Sequence, residues 1–256
     1  MAVDELAQRR SDGSHATALA QQIERVLRFE LEHDIPDHER LAARLAALTE
    51  PPARRTALIA DIHGNLAALT AALDDIGRQD CDRILCLGDL VDGGPDDEGV
   101  VETLVRLAIA CVRGNHDEIN DAVLSEAARR FLVDLPERIV EGDVLFTHIS
   151  PRPATRVVKD EIEAWNVFEE HDFRLIFLGH AHVPHIFGKR SSAYGEATRH
   201  EFEYNRPFGL AAEDSYIVSI GSIWHERDAE RKIRYAIYDR EAGTVELRAI
   251  HERQAS

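Results

Sequence analysis

Short apolar runs that end in residues able to bind cations are the feature of this chain that most restricts its fold. The first run, at 57–60, reads Ala-Leu-Ile-Ala and is followed by Asp61 and His63, with Gly64 next in the chain. An apolar run bounded by a glycine predicts a buried strand. Carboxylate and imidazole are ligands of divalent ions, so this strand end is a candidate metal position. Taken alone, the pair is weak support, since the same residue types serve as helix caps and as surface histidines.

Four further apolar runs, at 83–87, 108–112, 144–147 and 175–178, end in the same way. Ligands in α/β proteins gather at the carboxyl ends of strands, so the five loops are predicted to converge. Each polar residue taken singly fits an ordinary turn, but a core cannot bury all of them unpaired, and a metal centre satisfies them. The residues in question are Asp61, His63, Asp89, Asp92, Asn115, His116, His148, His180 and His182.

The segments between these loops carry apolar residues at helical spacing, so strands alternate with helices along the chain. This order predicts an α/β fold with two packed sheets and helices outside. The polar stretch at 185–214 is too long for an ordinary connector and is predicted to be a flap or a small hairpin near the site. Helices are predicted at 66–76, 99–107, 117–131 and 161–170, and further strands at 216–220, 233–238 and 244–250.

Residues 1–52 differ from the rest of the chain. Apolar residues at helical spacing predict one helix at 15–33 and a second near 41–48, which ends at the two prolines 51–52. We therefore expect an N-terminal helical extension at 1–52 and a main domain at 53–256. The hairpin is a candidate dimerisation or lid element, although two helices that pack on the main body are the commoner case.

The charge and the cysteines narrow the class of function. The chain has 256 residues and a formal net charge of −17, which argues against direct binding of nucleic acid or an anionic membrane. The three cysteines follow neither zinc nor disulfide spacing, and no apolar run is long enough to span a membrane. A cytoplasmic protein with reduced cysteines is the expectation.

The ordered motifs D-x-H, G-D-x-x-D, G-N-H-D, H and G-H-x-H extend from Asp61 to His182. In this order they resemble the calcineurin-like metallophosphoesterase superfamily, and the later pair Gly221-Ser222 is similar to its small bacterial and archaeal phosphodiesterase branch. The resemblance implies a four-layer α-β-β-α sandwich, in which two mixed sheets lie between helices. It also implies two metal ions at the loops.

The resemblance also implies a role for each residue. Asp61, His63 and His182 hold one ion. Asn115, His148 and His180 hold the other, and Asp89 bridges both. His116 is left to donate a proton to the leaving oxygen, and Asp92 orients it by accepting its other N–H.

The implied cofactors are two divalent ions, for which the resemblance favours manganese, with iron or zinc as alternatives. Such a pair activates a bridging water for attack on phosphorus, and it attracts an anionic substrate despite the acidic chain. The implied substrates are phosphodiesters or small phosphomonoesters. An oligomer formed through the N-terminal helices is also possible.

The sequence departs from related enzymes at several positions. Protein phosphatases and dinucleoside tetraphosphatases carry arginine where this chain has Gly93, and usually glutamate where it has Asp117. The missing arginine makes a protein phosphatase or a dinucleoside polyphosphate hydrolase the weaker alternative. Ser219 and Ile220 stand where the small-phosphodiesterase branch usually has Asn-Pro. A non-catalytic binding module is a further alternative, less favoured because His116 and all the implied ligands are present.

Overall fold

The computed structural model describes residues 53–153, 156–190, 192, 195–224 and 231–251 of the chain. These residues belong to one compact unit, Ala53–Ser256. The helices predicted at 15–33 and 41–48 lie outside the described residues. They stay predictions, as does the boundary at residue 52.

Two mixed sheets of six strands form the centre of the described unit. The first sheet contains β1 (Arg55–Ile59), β2 (Arg83–Cys86), β3 (Ala110–Cys111), β9 (Pro207–Gly209), β11 (Lys232–Asp239) and β12 (Thr244–His251). The second contains β4 (Arg138–Glu141), β5 (Val144–Thr147), β6 (Leu175–Leu178), β7 (His185–Lys189), β8 (Thr198–His200) and β10 (Ser215–Ser219). Their orders are β3-β2-β1-β11-β12-β9 and β4-β5-β6-β10-β7-β8.

Four of the five helices in the described residues begin where the sequence supplies a capping side chain. Asn65 Oδ1 accepts from the backbone N–H of Ala68 at 3.0 Å, and Asp96 and Asp160 cap their helices in the same way. The helices are α1 (Leu66–Ile76), α2 (Asp97–Arg106), α3 (Asn115–Glu118), α4 (Glu126–Val133) and α5 (Glu161–Glu170).

Three apolar clusters define the layers. One lies between the first sheet and α1, α2 and α4, and it includes Ile59 and Leu104. The second lies between the two sheets, where Phe146 and Phe177 stack at 5.4 Å between ring centroids. The third packs Phe168 of α5 on the outer face of the second sheet. Helices therefore cover both outer faces, which confirms the predicted four-layer α-β-β-α sandwich.

The single helix predicted at 117–131 is wrong. The structure has the short α3, an irregular stretch at 119–125, and then α4. Asn120 ends the first helix because its Nδ2 donates to the carbonyl of His116 at 2.9 Å. Ser125 starts the next, because its Oγ accepts from the N–H of Ala128 at 3.1 Å.

Two other segments differ from expectation. The strand predicted at 108–112 is reduced to β3, since Ala108 has a φ of 50° and its N–H bonds back to the carbonyl of Val105. The sequence analysis also missed β4, whose side chains are half-buried or exposed.

Within 185–214, β7 and β8 form an antiparallel hairpin at one edge of the second sheet, while β9 joins the edge of the first sheet.

A buried polar network fixes α1 to the first sheet. The hydroxyl of Tyr235, on β11, donates to Asp75 Oδ2 at 2.6 Å, and Arg248 of β12 donates to the same oxygen at 3.0 Å. Burial would raise the pKa of Asp75, but the hydrogen bonds and charges of Tyr235, Arg248 and Arg78 lower it. The carboxylate is therefore ionised in the folded protein, and it joins one helix to two strands.

We expect Asp75→Ala to lower the free energy of unfolding by about 3 kcal/mol, because a buried hydroxyl and a guanidinium lose their shared acceptor. Urea denaturation at neutral pH measures this. The exposed Asp74→Ala on the same helix is the control, with a change within about 0.5 kcal/mol. The depressed pKa makes the contribution complete above the ordinary aspartate pKa and removes it as the pH falls through the folded value. The difference between wild type and Asp75→Ala should therefore shrink in acid.

Candidate metal centre

The loops that follow the strands hold several predicted site residues in the left-handed region of φ. This conformation costs energy for a residue with a side chain, although aspartate and histidine tolerate it better than most, and such residues cluster at functional sites. The residues and their φ angles are Asp61 (53°), His63 (49°), Asp89 (55°), Asp92 (72°), His180 (64°) and His182 (58°).

Backbone hydrogen bonds join the first two loops. The N–H of Asp61 donates to the carbonyl of Gly88 at 2.9 Å, and the N–H groups of Ile62 and His63 both donate to the carbonyl of Asp89. The third loop approaches so closely that a Cβ at Gly88 would lie 2.6 Å from the backbone nitrogen of Gly114. Glycine at 88 thus permits the two loops to touch.

One group of candidate ligands combines Asp61, His63, Asp89 and His182, whose ligand atoms all lie within 4.8 Å of one another. His182 Nε2 is 3.3 Å from Asp61 Oδ1 and 3.4 Å from His63 Nε2. Asp61, His63 and Asp89 are each no more than 2% exposed. These three side chains of the group are therefore shielded from solvent.

A second group combines Asp89, His148 and His180, again within 4.8 Å. Asn115 belongs beside it, because its Oδ1 lies 3.2 Å from His148 Nε2. Asp89 is common to both groups. The structure thus brings together all the residues that the sequence proposes as metal ligands, in two groups that share Asp89.

The protonation of the imidazoles tests whether a cation fits. His148 Nδ1 lies 2.7 Å from the carbonyl of Leu87, which can only accept, so Nδ1 carries the hydrogen. In the neutral ring the lone pair of Nε2 then faces Asp89 Oδ2, at 3.2 Å, and Asn115 Oδ1. Asp89 Oδ2 is buried and meets no donor with hydrogen-bond geometry. Electron-rich atoms therefore converge where a positive charge is needed.

A proton competes with a metal ion for this place. Burial would lower the pKa of His148, but Asp89 and Asp61 raise it to about 9. Burial would likewise raise the pKa of Asp89, but His148 lowers it to about 2. Burial raises the pKa of Asp61 to about 8. A site that retains protons in this way is one that a divalent ion can occupy by displacing them.

The imidazole of His180 differs from that of His148. Burial and the nearby charge of His148 lower the pKa of His180 to about 4. Burial also lowers the pKa of His63. Both rings are therefore neutral near neutral pH, and neutral imidazole is the form that binds metal ions.

His116 lies beside the ligand groups and forms a pair with Asp92. Its Nδ1 is 2.6 Å from Asp92 Oδ2, and the two side chains are 37% and 38% exposed. Its backbone N–H donates to Asp89 Oδ1 at 2.9 Å. Its ring meets that of His63 edge to face at 4.9 Å between centroids. With Nδ1 bound to Asp92, Nε2 remains available to a substrate.

Asp117 is a functional residue that the sequence analysis did not recognise. It is 5% exposed, and its carboxylate accepts the backbone N–H groups of Asp89, Leu90 and Gly114 at 2.7–2.9 Å. It therefore shapes the loop that carries the shared ligand. Its position in the G-N-H-D motif was the available signal.

The Gly221-Ser222 pair and Trp224 were also not given a role. Ser222 Oγ donates to the carbonyl of Asp61 at 2.9 Å, and the backbone N–H of Trp224 donates to the same carbonyl at 2.8 Å. Trp224 packs against His63 at 4.8 Å between ring centroids. Arg113, by contrast, forms an ion pair with Glu137 at 3.4 Å.

Comparison with known proteins identifies the family. The family described as calcineurin-like phosphoesterase matches residues 54–184. This chain belongs to that family. The phosphoesterase is also 31% identical over 218 residues to the uncharacterized protein MJ0912 from Methanocaldococcus jannaschii, an alignment that covers 75% of this chain and 85% of that protein. The enzyme is therefore a metal-dependent hydrolase of phosphate esters, of a family that uses a dinuclear centre of divalent ions.

Solved structures agree with this family. A metallophosphoesterase from Sphaerobacter thermophilus has a TM-score of 0.67 and 29% identity, with 78% of this chain and 89% of that chain covered. The hypothetical protein PH1004 from Pyrococcus horikoshii OT3 shares the fold with a TM-score of 0.57 at 18% identity, with 78% and 89% covered. In the part of the phosphoesterase that the structure describes, no helix has the length and hydrophobicity of a membrane span.

We expect Asp117→Ala to lower the free energy of unfolding by at least about 3 kcal/mol, because three buried N–H groups lose their acceptor. Metal binding should weaken as well, since the loop that carries Asp89 loses its support. Urea denaturation and calorimetric titration with Mn²⁺ measure the two effects. Glu118→Ala, at the exposed neighbouring position in α3, is the control and should alter neither quantity. Normal metal binding by Asp117→Ala would contradict the role assigned to this carboxylate.

Proposed function

We propose that this phosphoesterase hydrolyses small phosphodiesters or simple phosphomonoesters, with two divalent ions in the two ligand groups. Asp61, His63 and His182 would hold one ion. Asn115, His148 and His180 would hold the other, and Asp89 would bridge them. Mixed carboxylate, amide and imidazole ligands suit manganese, iron and zinc alike, and the resemblance to the family favours manganese.

The observation that carries this proposal is the convergence of lone pairs on Asp89. Its buried Oδ2 lies 3.2 Å from His148 Nε2 and 3.6 Å from His63 Nε2. His63 Nδ1 lies 2.9 Å from the carbonyl of Asp92, so its Nε2 also presents a lone pair to the centre when the ring is neutral. When both rings are neutral, as metal ligands are, one carboxylate oxygen thus faces a lone pair from each of two imidazoles, which is the arrangement that a bridging ligand requires.

The bound ions supply Lewis-acid chemistry, which lowers the pKa of a water and neutralises phosphate oxygens. The chain itself fixes the donors. The backbone N–H of His180 donates to both oxygens of Asp61 at 3.1 Å, so the carboxylate cannot rotate away from the site. The contact of His148 Nδ1 with Leu87 fixes the plane of that imidazole in the same way.

His116 would be the proton donor. Its Nδ1–H is held by Asp92, so the opposite nitrogen points outward and a protonated ring can give its proton to the leaving oxygen. The hydrogen bond from the N–H of His116 to Asp89 ties this acid to the bridging carboxylate. The donor therefore keeps a fixed position beside the ligand groups.

Gly93 supports the choice of substrate. It lies one residue beyond Asp92, and a Cβ there would lie 3.1 Å from the Cβ of His63. Glycine has no side chain, so this position lacks the guanidinium with which an arginine holds a phosphate through two hydrogen bonds. We therefore place small esters ahead of phosphoproteins and dinucleoside polyphosphates.

We expect His116→Ala to lower kcat by about 10²- to 10⁴-fold for an ester with a poor leaving group, because the departing oxygen loses its proton donor. The metal content of the purified protein should not change. Activity assays paired with elemental analysis measure both. His171→Ala is the control, since His171 precedes β6 while the site residues follow that strand. A His116→Ala variant as fast as wild type removes this residue from the mechanism.

The substrate class is tested by a panel assayed with Mn²⁺, namely an aryl phosphodiester, an aryl phosphomonoester, a dinucleoside polyphosphate and a phosphopeptide. We expect the simple esters to have the higher kcat/KM. Asp89→Asn should abolish turnover of every compound, because it removes the bridging charge. Preference for the phosphopeptide or the dinucleoside compound would favour the corresponding alternative enzyme, and no turnover with bound metal would favour a binding module.

A further inference from the structure

The indole of Trp224 contacts one of the two ligand groups. Its ring centroid lies 4.8 Å from that of His63, with the planes at 50°, and 6.1 Å from that of His182, with the planes at 69°. Among the described residues, no ring contact joins Trp224 to His148 or His180, which instead contact each other at 5.2 Å. The tryptophan is therefore adjacent to one half of the candidate centre.

His63 and His182 need support from outside their own loops. Both have positive φ, and they come from loops far apart in the sequence. Their Nε2 atoms are only 3.4 Å apart, so both rings must keep a fixed orientation if they are to bind the same ion. Packing against their faces and edges restricts that orientation, and Trp224 supplies such packing.

Trp224 is itself anchored to the strand end that carries Asp61. Its backbone N–H donates to the Asp61 carbonyl at 2.8 Å, and its own carbonyl lies 2.9 Å from Ser222 Oγ. The position of the ring thus follows from the loop after β10.

We propose that Trp224 is a positioning residue that holds His63 and His182 as ligands of the same ion. Its loss should weaken one of the two metal-binding steps and leave the other unchanged. The inference rests on the proposed division of the ligands between two ions. The inference gives Trp224, which binds no metal, an effect on one of the two ion positions and none on the other.

The chain contains two tryptophans, which makes a matched control available. Trp165 lies on α5, on the outer face of the second sheet, where Lys189 Nζ sits 4.6 Å from its ring centroid. Trp165→Phe leaves Trp224 as the only tryptophan of the protein, and Trp224→Phe leaves only Trp165. Each variant thus isolates the fluorescence of one indole.

The first experiment is calorimetric titration of the metal-free full-length protein with Mn²⁺. Wild type and Trp165→Phe should bind two equivalents. In Trp224→Ala we expect one equivalent to weaken by about 10- to 100-fold, the range found when a residue that orients a metal ligand is removed. Trp224→Phe, which keeps an aromatic ring, should recover part of this loss.

Electron paramagnetic resonance gives a readout that a general loss of stability would not produce. Two Mn²⁺ ions that share a carboxylate are close enough to couple magnetically. At Mn²⁺ concentrations between the two affinities, Trp224→Ala should give the spectrum of an isolated ion, whereas wild type gives that of a coupled pair. Mn²⁺ should also quench the fluorescence of Trp165→Phe more than that of Trp224→Phe.

The outcomes separate this inference from the function on which it rests. If wild type binds no Mn²⁺, the proposed centre fails and the inference falls with it. If wild type binds two ions but Trp224→Ala binds both as tightly, or weakens both equally, only the role of Trp224 is overturned. If Trp224→Ala does not fold, Trp224→Phe and the quenching of Trp165→Phe decide, and equal quenching in the two single-tryptophan proteins contradicts the contact.

Discussion

The positive charge required at the shared carboxylate of Asp89 is the constraint on which the rest of this structure depends. Asp89 lies between His63 and His148, and each of these rings has its other nitrogen beside a backbone carbonyl. The lone pairs that remain point toward a buried oxygen. Without a cation the centre must keep protons, which is why the pKa of His148 is raised to about 9 although burial acts in the opposite direction. A proton relieves this arrangement only in part, because it uses the lone pair of one ring nitrogen at a time.

The fold provides the rigidity that such an arrangement needs. The packed core between the two sheets fixes the strand ends, and the loops are joined by backbone hydrogen bonds, so the left-handed turns cannot relax independently. Asp117 adds a carboxylate that binds three backbone N–H groups of two loops. The strain in the turns is thus offset by hydrogen bonds that form only when the loops are assembled. The same assembly keeps like-charged and electron-rich groups together.

Around this centre, the surroundings of the two ligand groups differ. The rings of His148 and His180, which follow strands of the second sheet, contact each other. The rings of His63 and His182 instead contact the indole of Trp224, which lies in the loop after β10. Two ions in such a centre need not be equivalent in affinity. A difference of this kind would let one ion remain bound while the other exchanges.

The sequence alone predicted most of the strands, the candidate ligand types and two packed sheets with helices outside, because apolar periodicity and polar residues at run ends are local patterns that one chain displays directly. The four-layer arrangement came from the resemblance to the family. It placed Asp61, Asp89, Asn115 and His148 in one site, although the strands that carry them lie in two different sheets. It could not find the break at 119–125, where side-chain hydrogen bonds override a helical pattern. Nor could it assign a role to Trp224, because that role arises from contacts with distant backbone and rings. For Asp117 the G-N-H-D motif marked the position, but its contacts with the backbone of Asp89 and Leu90 arise only in the folded chain. Only the tertiary structure decided these, since such contacts exist only after the loops have come together.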